Sequence, residues 1–412
     1  MKSFTPPPDK SITIRALLLG AIAHGQARIE NPLECEDTEA ALECLAALGV
    51  KFCRDGGALV LEGRGLKGLA RPAKPLNAGE SGALARLLAG ILAGQNFSST
   101  LTGRGSLLKR PMAPLAAVLK KLGAKATAKS GRLPLAVKPA KLKGARLTGV
   151  DSAQLKSAAL LAGLYAGKPV FIKEKAPSRD HTERLLALMG ARLAKNGPEI
   201  CLEPGPLTAR PVRVPGDISA AAPFLAGALL AGAELEITGC GLNPTRTGFV
   251  LALQKMGAKL ELKAAASFPE PDGSITVRPS RLKGAAFSAA DVPGMIDEIP
   301  LLAVCAAAAA GVTTLRGIEA LRSKESDRVE ATLALLRALG VKASYSGGVM
   351  RITGGKFKAL APAETFNDHR IAMAAAAAAL RCPGLEIRNP GCVNKSYPGF
   401  WKDFVKVFSS SF

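Results

Sequence analysis

The sequence predicts an α/β protein of two domains, each assembled from three similar units. Two observations carry that expectation: an apolar pattern that recurs six times, and a helix-stopping glycine followed by a strand-like segment that recurs inside the units. Each copy of the first pattern is an acidic residue, a few polar residues and an Ala/Leu-rich run that closes at Gly or Pro-Gly. The copies begin at Asp9 (DKSITIRALLLGAIAHG), Glu80 (ESGALARLLAGILAG), Asp151 (DSAQLKSAALLAGLYAG), Asp217 (DISAAAPFLAGALLAG), Asp297 (DEIPLLAVCAAAAAG) and Asp368 (DHRIAMAAAAAALRCPG). They are separated by 71, 71, 66, 80 and 71 residues, so the repeat tiles the 412-residue chain.

The second pattern reads LAALGVKF, LKKLGAKA, LALMGARL, LQKMGAKL and LRALGVKA, with glycines at 49, 123, 190, 257 and 340. Glycine directly after a helical run takes the left-handed conformation that ends the helix. Each unit is therefore expected to hold one buried apolar helix, one amphipathic helix and intervening strands such as Ala233 to Thr238 and Gly311 to Arg316. A spacing near 70 residues exceeds the solenoid range, which favours small subdomains packed three and three. The Pro-rich stretch Pro204 to Pro215 lies at the midpoint and reads as a linker. The expected domains are 9–212 and 213–412, with residues 1–8 packing on the second, hinges near 8–9 and 204–215, and a cleft between the domains.

Composition narrows the function. The chain has 55 Lys and Arg against 33 Asp and Glu, a net charge of +22, which suits either nucleic acid or small substrates bearing phosphates and carboxylates. Only 4% of residues are aromatic and no three basic residues run together, which leaves few base-stacking platforms and argues against nucleic acid. No uncharged stretch is longer than Ile299 to Leu315, which is interrupted by Pro300 and Gly311 and is too short to span a bilayer. The first residues, MKSFTPPPDKS, contain no apolar targeting segment, so a cytoplasmic protein is expected. Eight cysteines, at 35, 44, 53, 201, 240, 305, 382 and 392, form no C-x-x-C pair, and they are read as reduced and without a metal.

Basic and polar residues gather where the apolar helices should begin, and helix N-termini favour anions. Lys10 and Ser11 open the first run and Arg15 lies four residues past Ser11; a solvated lysine and a capping serine would account for the first two as well. Similar clusters are Arg110 before Pro111, Ser152 and Gln154, Ser178-Arg179-Asp180-His181, Lys324-Glu325-Ser326-Asp327-Arg328, His369-Arg370 and Lys395. Lys324 and Arg328 are expected to share a helix face, with Glu325 between them as an acid or base; an exposed i,i+4 charge network is the plainer alternative. Asp297 is expected to be a helix N-cap. These residues describe an anion site with carboxylates for proton transfer, and they do not name a reaction.

The motifs DKSITIRALLLGAIAHG, SGALARLLAG, KRPMAPL, DSAQLKSAALL, SRDHTERLL, GLNPTRTG, IDEIPLLAV, RSKESDRV, FNDHRIAMA and VNKSYPGFW, in order from Asp9 to Phe404, together resemble the 5-enolpyruvylshikimate-3-phosphate synthase family. The resemblance implies a two-domain inside-out α/β barrel of six βαβαββ repeats with the active site in the interdomain cleft. It implies transfer of the enolpyruvyl group of phosphoenolpyruvate to the 5-hydroxyl of shikimate 3-phosphate through a tetrahedral intermediate, a step of chorismate and aromatic amino-acid biosynthesis. No cofactor or metal, no nucleic acid and no membrane is implied, and a monomer is expected. The family is a glyphosate target.

Carried onto matching positions, Lys10, Ser11, Arg15, Ser152, Ala153, Gln154, Ser178, Asp297 and Lys324 are expected to hold shikimate 3-phosphate. Lys10, Gly82, Arg110, Gln154, Arg328, Arg370 and Lys395 are expected to hold phosphoenolpyruvate. Asp297 is the expected base for the hydroxyl proton, with Glu325 and Lys10 as the groups that deliver and return the other proton. Four features depart from the family pattern: only nine residues precede Lys10, Glu80 and Ala83 stand where Asn and Thr are common, Arg104 replaces a frequent Asp, and Ala153 occupies the centre of the Ser-x-Gln motif. The alternatives are the related transferase acting on UDP-N-acetylglucosamine, whose loop cysteine is missing from Gly103 to Pro111, and a non-catalytic polyanion-binding protein.

Overall fold

In the computed structural model, which describes residues 2–409, the chain forms two compact units. One runs from Pro8 to Val214, and the other combines the segment up to Pro7 with the chain from Pro215 onward. Each unit has its own contiguous apolar core.

The Pro8–Val214 unit contains six α-helices: α1 (Lys10–Ile22), α2 (Glu36–Ala47), α3 (Gly82–Ala93), α4 (Ala113–Lys121), α5 (Ala153–Gly163) and α6 (His181–Leu188). Helices α1, α3 and α5 are buried nearly all round, because their sequences carry Ala, Leu, Ile and Gly on every face. Helix α3 packs on both α1 and α5. Helices α2, α4 and α6 keep polar residues on one face. Their last turns give way to Gly49, Gly123 and Gly190, whose φ values of 81°, 86° and 85° only glycine adopts freely.

Three four-stranded sheets flank these helices with one recurring order. In the first, Val212–Arg213 runs parallel to His24–Glu30, which pairs antiparallel with Ala58–Arg64, itself antiparallel to Phe52–Asp55. Leu76–Asn77, Ser99–Thr102, Leu135–Lys138 and Lys125–Ala128 repeat the arrangement. So do Arg146–Val150, Val170–Glu174, Glu199–Leu202 and Leu193–Asn196.

The second unit follows the same logic with α7 (Ile218–Ala231), α8 (Gly248–Lys255), α9 (Ile299–Ala307), α10 (Arg328–Ala338), α11 (His369–Ala379) and α12 (Phe400–Phe408). The apolar helices α7, α9 and α11 pack on one another. Lys2–Phe4 runs parallel to Leu235–Gly241, so the few residues before Lys10 do supply a strand, and Asp272–Arg278 and Lys259–Ala266 complete that sheet. Ala286–Phe287, Val312–Arg316, Val349–Thr353 and Ala343–Ser346 form the next, and Ala363–Glu364 pairs with Ile387–Arg388 in a two-stranded ladder. The strand expected from Ala233 starts two residues later, since Gly232 first takes a left-handed cap at φ 66°.

The protein's few aromatic residues are concentrated in this unit. Phe224 of α7 stacks on Phe4 with ring centroids 3.9 Å apart, and Phe400, Phe404 and Phe408 of α12 close around it. This cluster fastens both the first strand and the last helix to α7. Among the described residues, no helix is long and apolar enough to cross a membrane. Phe224→Ala is expected to cost about 3–5 kcal/mol, read by chemical denaturation, because it empties a fully buried ring site that three segments share. A loss under ~1 kcal/mol would contradict that role for the cluster.

Candidate active site

In the second unit the site is organised by Arg328, the first residue of α10, whose side chain is only 1% exposed. Its guanidinium donates from Nε to Asp368 Oδ2 at 2.8 Å, from Nη2 to Asp368 Oδ1 at 3.2 Å and to Glu325 Oε2 at 2.7 Å, and from Nη1 to Asp297 Oδ1 at 3.1 Å. Burial opposes its charge, but Asp368, Glu325 and Asp297 outweigh that penalty and push its pKa further up. Asp368 does double duty, capping α11 through the Arg370 backbone N–H at 2.9 Å and accepting from Ser326 Oγ at 3.0 Å. Arg370 in turn donates to the Ser219 carbonyl at 3.0 Å. Asp297, Arg370 and Ser219 line one small concavity with Glu298 and Met373.

Two expectations from sequence are corrected here. Asp297 does not cap α9; Glu298 occupies that position without a side-chain cap bond. The 3-10 turn Pro293–Met295 and the Glu298 N–H to Met295 carbonyl bond bring the chain in already coiled, which leaves the Asp297 carboxylate for Arg328 and for Lys324 at 3.5 Å. Lys324 and Arg328 also do not share a helix face. Lys324 ends the 3-10 turn Glu319–Ser323, the helix begins only at Arg328 under an Asp327 cap, and the two cations meet instead at Asp297. The exposed charge network proposed as the alternative therefore does not form around Arg328. Lys395 closes the 3-10 turn Pro390–Lys395, which packs on α11.

In the Pro8–Val214 unit, Lys10 is the first residue of α1 behind the Asp9 cap, and its ammonium lies 2.9 Å from Asp37 at the start of α2. Arg15, buried, donates to the Ser11 carbonyl at 2.9 Å and to the Ser11 hydroxyl. It also reaches Thr182 Oγ at 2.9 Å and Ser157 Oγ at 3.3 Å. Gly82 opens α3 behind a Ser81 cap, so the acidic Glu80 is not the cap; it accepts instead from the Ser106 N–H at 3.1 Å and hydroxyl at 2.7 Å, tethering the turn that leads to buried Arg110. Ser152, not Asp151, precedes α5 as its cap residue, followed by Ala153 and Gln154. Gln154 accepts from Arg86 Nη1 at 2.8 Å. A Cβ on Gly82 would lie 2.6 Å from Arg110 Nη1 and 2.7 Å from Arg86 Nη1, so the absent side chain keeps room for both guanidiniums. Ser178 is held by Glu174, from its N–H at 3.1 Å and its hydroxyl at 2.5 Å.

Each unit thus presents cations and hydroxyls at the N-terminal ends of apolar helices, with carboxylates in direct contact with some of the cations. A match to the family model described as EPSP synthase (3-phosphoshikimate 1-carboxyvinyltransferase) covers residues 2–404. The chain belongs to the EPSP synthase family. It is 43% identical over 412 residues to the 3-phosphoshikimate 1-carboxyvinyltransferase of Thermus thermophilus, covering 98% of this chain and 96% of that one. It is 44% identical over 413 residues to the enzyme of that name from Acidithiobacillus ferrooxidans, covering 96% and 93%. The solved EPSP synthase of Acinetobacter baumannii is similar throughout, with a TM-score of 0.84, 37% identity and coverage of 98% of this chain and 95% of that one. As an EPSP synthase, the chain is an enzyme with 3-phosphoshikimate 1-carboxyvinyltransferase activity.

Against this EPSP synthase frame, sequence reasoning passed over Asp37, Arg86 and Asp368, each in direct contact with a residue it did select. Their signal is weak: Asp368 looked like one more helix-opening acid, and Arg86 sat inside a motif read for its glycine. Two departures from the family pattern have partners of their own, Glu80 with Ser106 and Arg104 with Glu36 at 2.8 Å. Asp368→Ala is expected to destabilise the second unit by about 3–5 kcal/mol in chemical denaturation, since it strips a buried guanidinium of its bidentate partner and α11 of its cap. Asp368→Asn retains the cap and is expected to cost less; equal losses would contradict the double role.

Proposed function

We propose that these two residue sets together carry out the family reaction, moving the enolpyruvyl group of phosphoenolpyruvate to the 5-hydroxyl of shikimate 3-phosphate with release of phosphate. The observation that carries the assignment is the Arg328 cluster, in which one buried cation holds Asp297 and Glu325, the two carboxylates the reaction needs for proton transfer, beside Lys324. Both substrates are multiply charged anions, and the half-buried Lys10, Lys324, Arg370 and Lys395 suit them.

In this reading Lys10, Ser11, Arg15, Ser152, Ala153, Gln154, Ser178, Asp297 and Lys324 hold shikimate 3-phosphate, while Lys10, Gly82, Arg110, Gln154, Arg328, Arg370 and Lys395 hold phosphoenolpyruvate. Glu325 delivers a proton to the methylene carbon, turning it into a methyl group and leaving positive charge on the adjacent carbon. Asp297 accepts the 5-hydroxyl proton as that oxygen attacks the cation. The tetrahedral intermediate then loses a methyl proton to the Glu325 carboxylate left by the first step, or to a Lys10 amine once its ammonium has given a proton to the leaving phosphate, and phosphate departs with the electrons of its C–O bond. The guanidiniums stabilise phosphate and carboxylate charge throughout. The recurring strand order of the five four-stranded sheets supports the finer reading of the fold as six βαβαββ units in two inside-out barrels. A cytoplasmic monomer completes the reading.

Phosphate release measured with each substrate omitted in turn tests the assignment. Release is expected only with both, and Asp297→Ala is expected to lower kcat by about 10²–10⁴ with the fold intact; release without shikimate 3-phosphate, or an unaffected variant, would contradict it. Gly82→Ala must push the Arg110 and Arg86 guanidiniums aside. It is expected to raise KM for phosphoenolpyruvate by about tenfold, equivalent to ~1.4 kcal/mol, and to weaken glyphosate inhibition. An unchanged KM would remove Gly82 from that subsite.

A further inference from the structure

Lys156 lies on α5 two residues beyond Gln154 and has no role in the chemistry above, yet its side chain is completely buried. An ammonium in that setting is costly unless fully partnered. Its Nζ lies 3.0 Å from Glu174 Oε1 and 2.6 Å from Glu183 Oε1, and donates to the Ser178 carbonyl at 3.4 Å. The same Glu174 oxygen accepts from the Ser178 N–H and hydroxyl. Three donors thus converge on one carboxylate oxygen, and Lys156 grips Ser178 twice, directly at its carbonyl and indirectly through Glu174. Burial holds the Glu183 carboxyl above its ordinary pKa, against the opposing pull of the Lys156 ammonium.

The next residue of α5 anchors the other end of the same segment. Ser157 Oγ is 2.7 Å from Thr182 Oγ, and Arg15 donates to both. Two consecutive residues of one buried helix therefore clamp the stretch from Ser178 to Glu183, one by charge and one by hydroxyl.

We propose that Lys156 is a positioning residue for shikimate 3-phosphate: it fixes the backbone at Ser178 through that residue's carbonyl and satisfies the Glu174 carboxylate, so that the Ser178 hydroxyl, whose one proton goes to Glu174 in this structure, can turn it to the substrate's phosphate. The inference rests on the assignment of Ser178 to that substrate. Being completely buried, Lys156 acts on the substrate through the residues it holds, Ser178 above all, and this gives it a signature that a plain core residue lacks.

The test is a kinetic double-mutant cycle with Ser178→Ala and Lys156→Met, the latter keeping the volume and removing the charge. Ser178→Ala and Lys156→Met are each expected to raise KM for shikimate 3-phosphate by about tenfold, with kcat and KM for phosphoenolpyruvate changed less than about threefold. In the Ser178→Ala background, Lys156→Met is expected to add almost nothing. If Ser178→Ala leaves KM unchanged, the assignment of Ser178 itself fails. If Ser178→Ala raises KM but Lys156→Met does not, or the two effects multiply in full, the positioning role is overturned. Should Lys156→Met not yield a cooperatively folded protein, Glu174→Gln replaces it, with the same coupling to Ser178→Ala expected and full multiplication overturning the proposal.

Discussion

A buried cation dictates where its carboxylates stand, and Arg328 shows the constraint at its strongest. Its charge cannot be hydrated, so Asp297, Glu325 and Asp368 must all come to it, from three separate stretches of chain. Those stretches lead into α9, precede α10 and cap α11. Satisfying one guanidinium therefore places two candidate proton-transfer groups and the N-terminus that carries Arg370. Low local polarity strengthens each bond in such a network and raises the penalty for breaking any one of them. The other unit uses the same device with Lys156, Glu174 and Glu183.

The apolar helices supply the rigid ground for these networks. Helices α1, α3, α5, α7, α9 and α11 have almost no polar face, so apart from a few inward-reaching residues such as Arg15, Arg86, Lys156 and Ser157 their polar duties fall at their ends, where the unpaired backbone N–H groups attract caps and anions. Asp9, Ser81, Asp217 and Asp368 cap four of them through their side chains. Lys10, Gly82, Gln154 and Arg370 follow within two residues of such starts. Small residues on these helices allow close packing, and that fixes the positions of their ends.

Much of this was legible in the sequence because it rests on periodicity and local chain stereochemistry. Six apolar runs and five cap glycines mark helices whatever their tertiary setting, and Gly49, Gly123, Gly190, Gly257 and Gly340 all take the positive φ that their pattern implies. The failures concern side chains whose partners lie far along the chain. Asp297 looked like a cap because an acid before an apolar run usually is one; its partner Arg328 lies 31 residues on, and no local pattern reports that bond. Lys324 and Arg328 were placed on one helix by their spacing, although the helix starts only at Arg328. Lys156 carries no local signature, since burial of a single polar residue leaves no mark on a mostly apolar run. The identity of the substrates came from motif resemblance, while the local physics supplied only an anion site with carboxylates.

The central claim is that the carboxylates gathered by Arg328 serve a transfer between two phosphorylated substrates and not simple hydrolysis of one. Phosphorus NMR of the wild-type protein turning over both substrates measures this directly. The account predicts that the phosphoenolpyruvate signal declines as inorganic phosphate and one new phosphomonoester signal grow in equal amounts, at the expense of shikimate 3-phosphate. Inorganic phosphate accumulating while the shikimate 3-phosphate signal stays constant would contradict it.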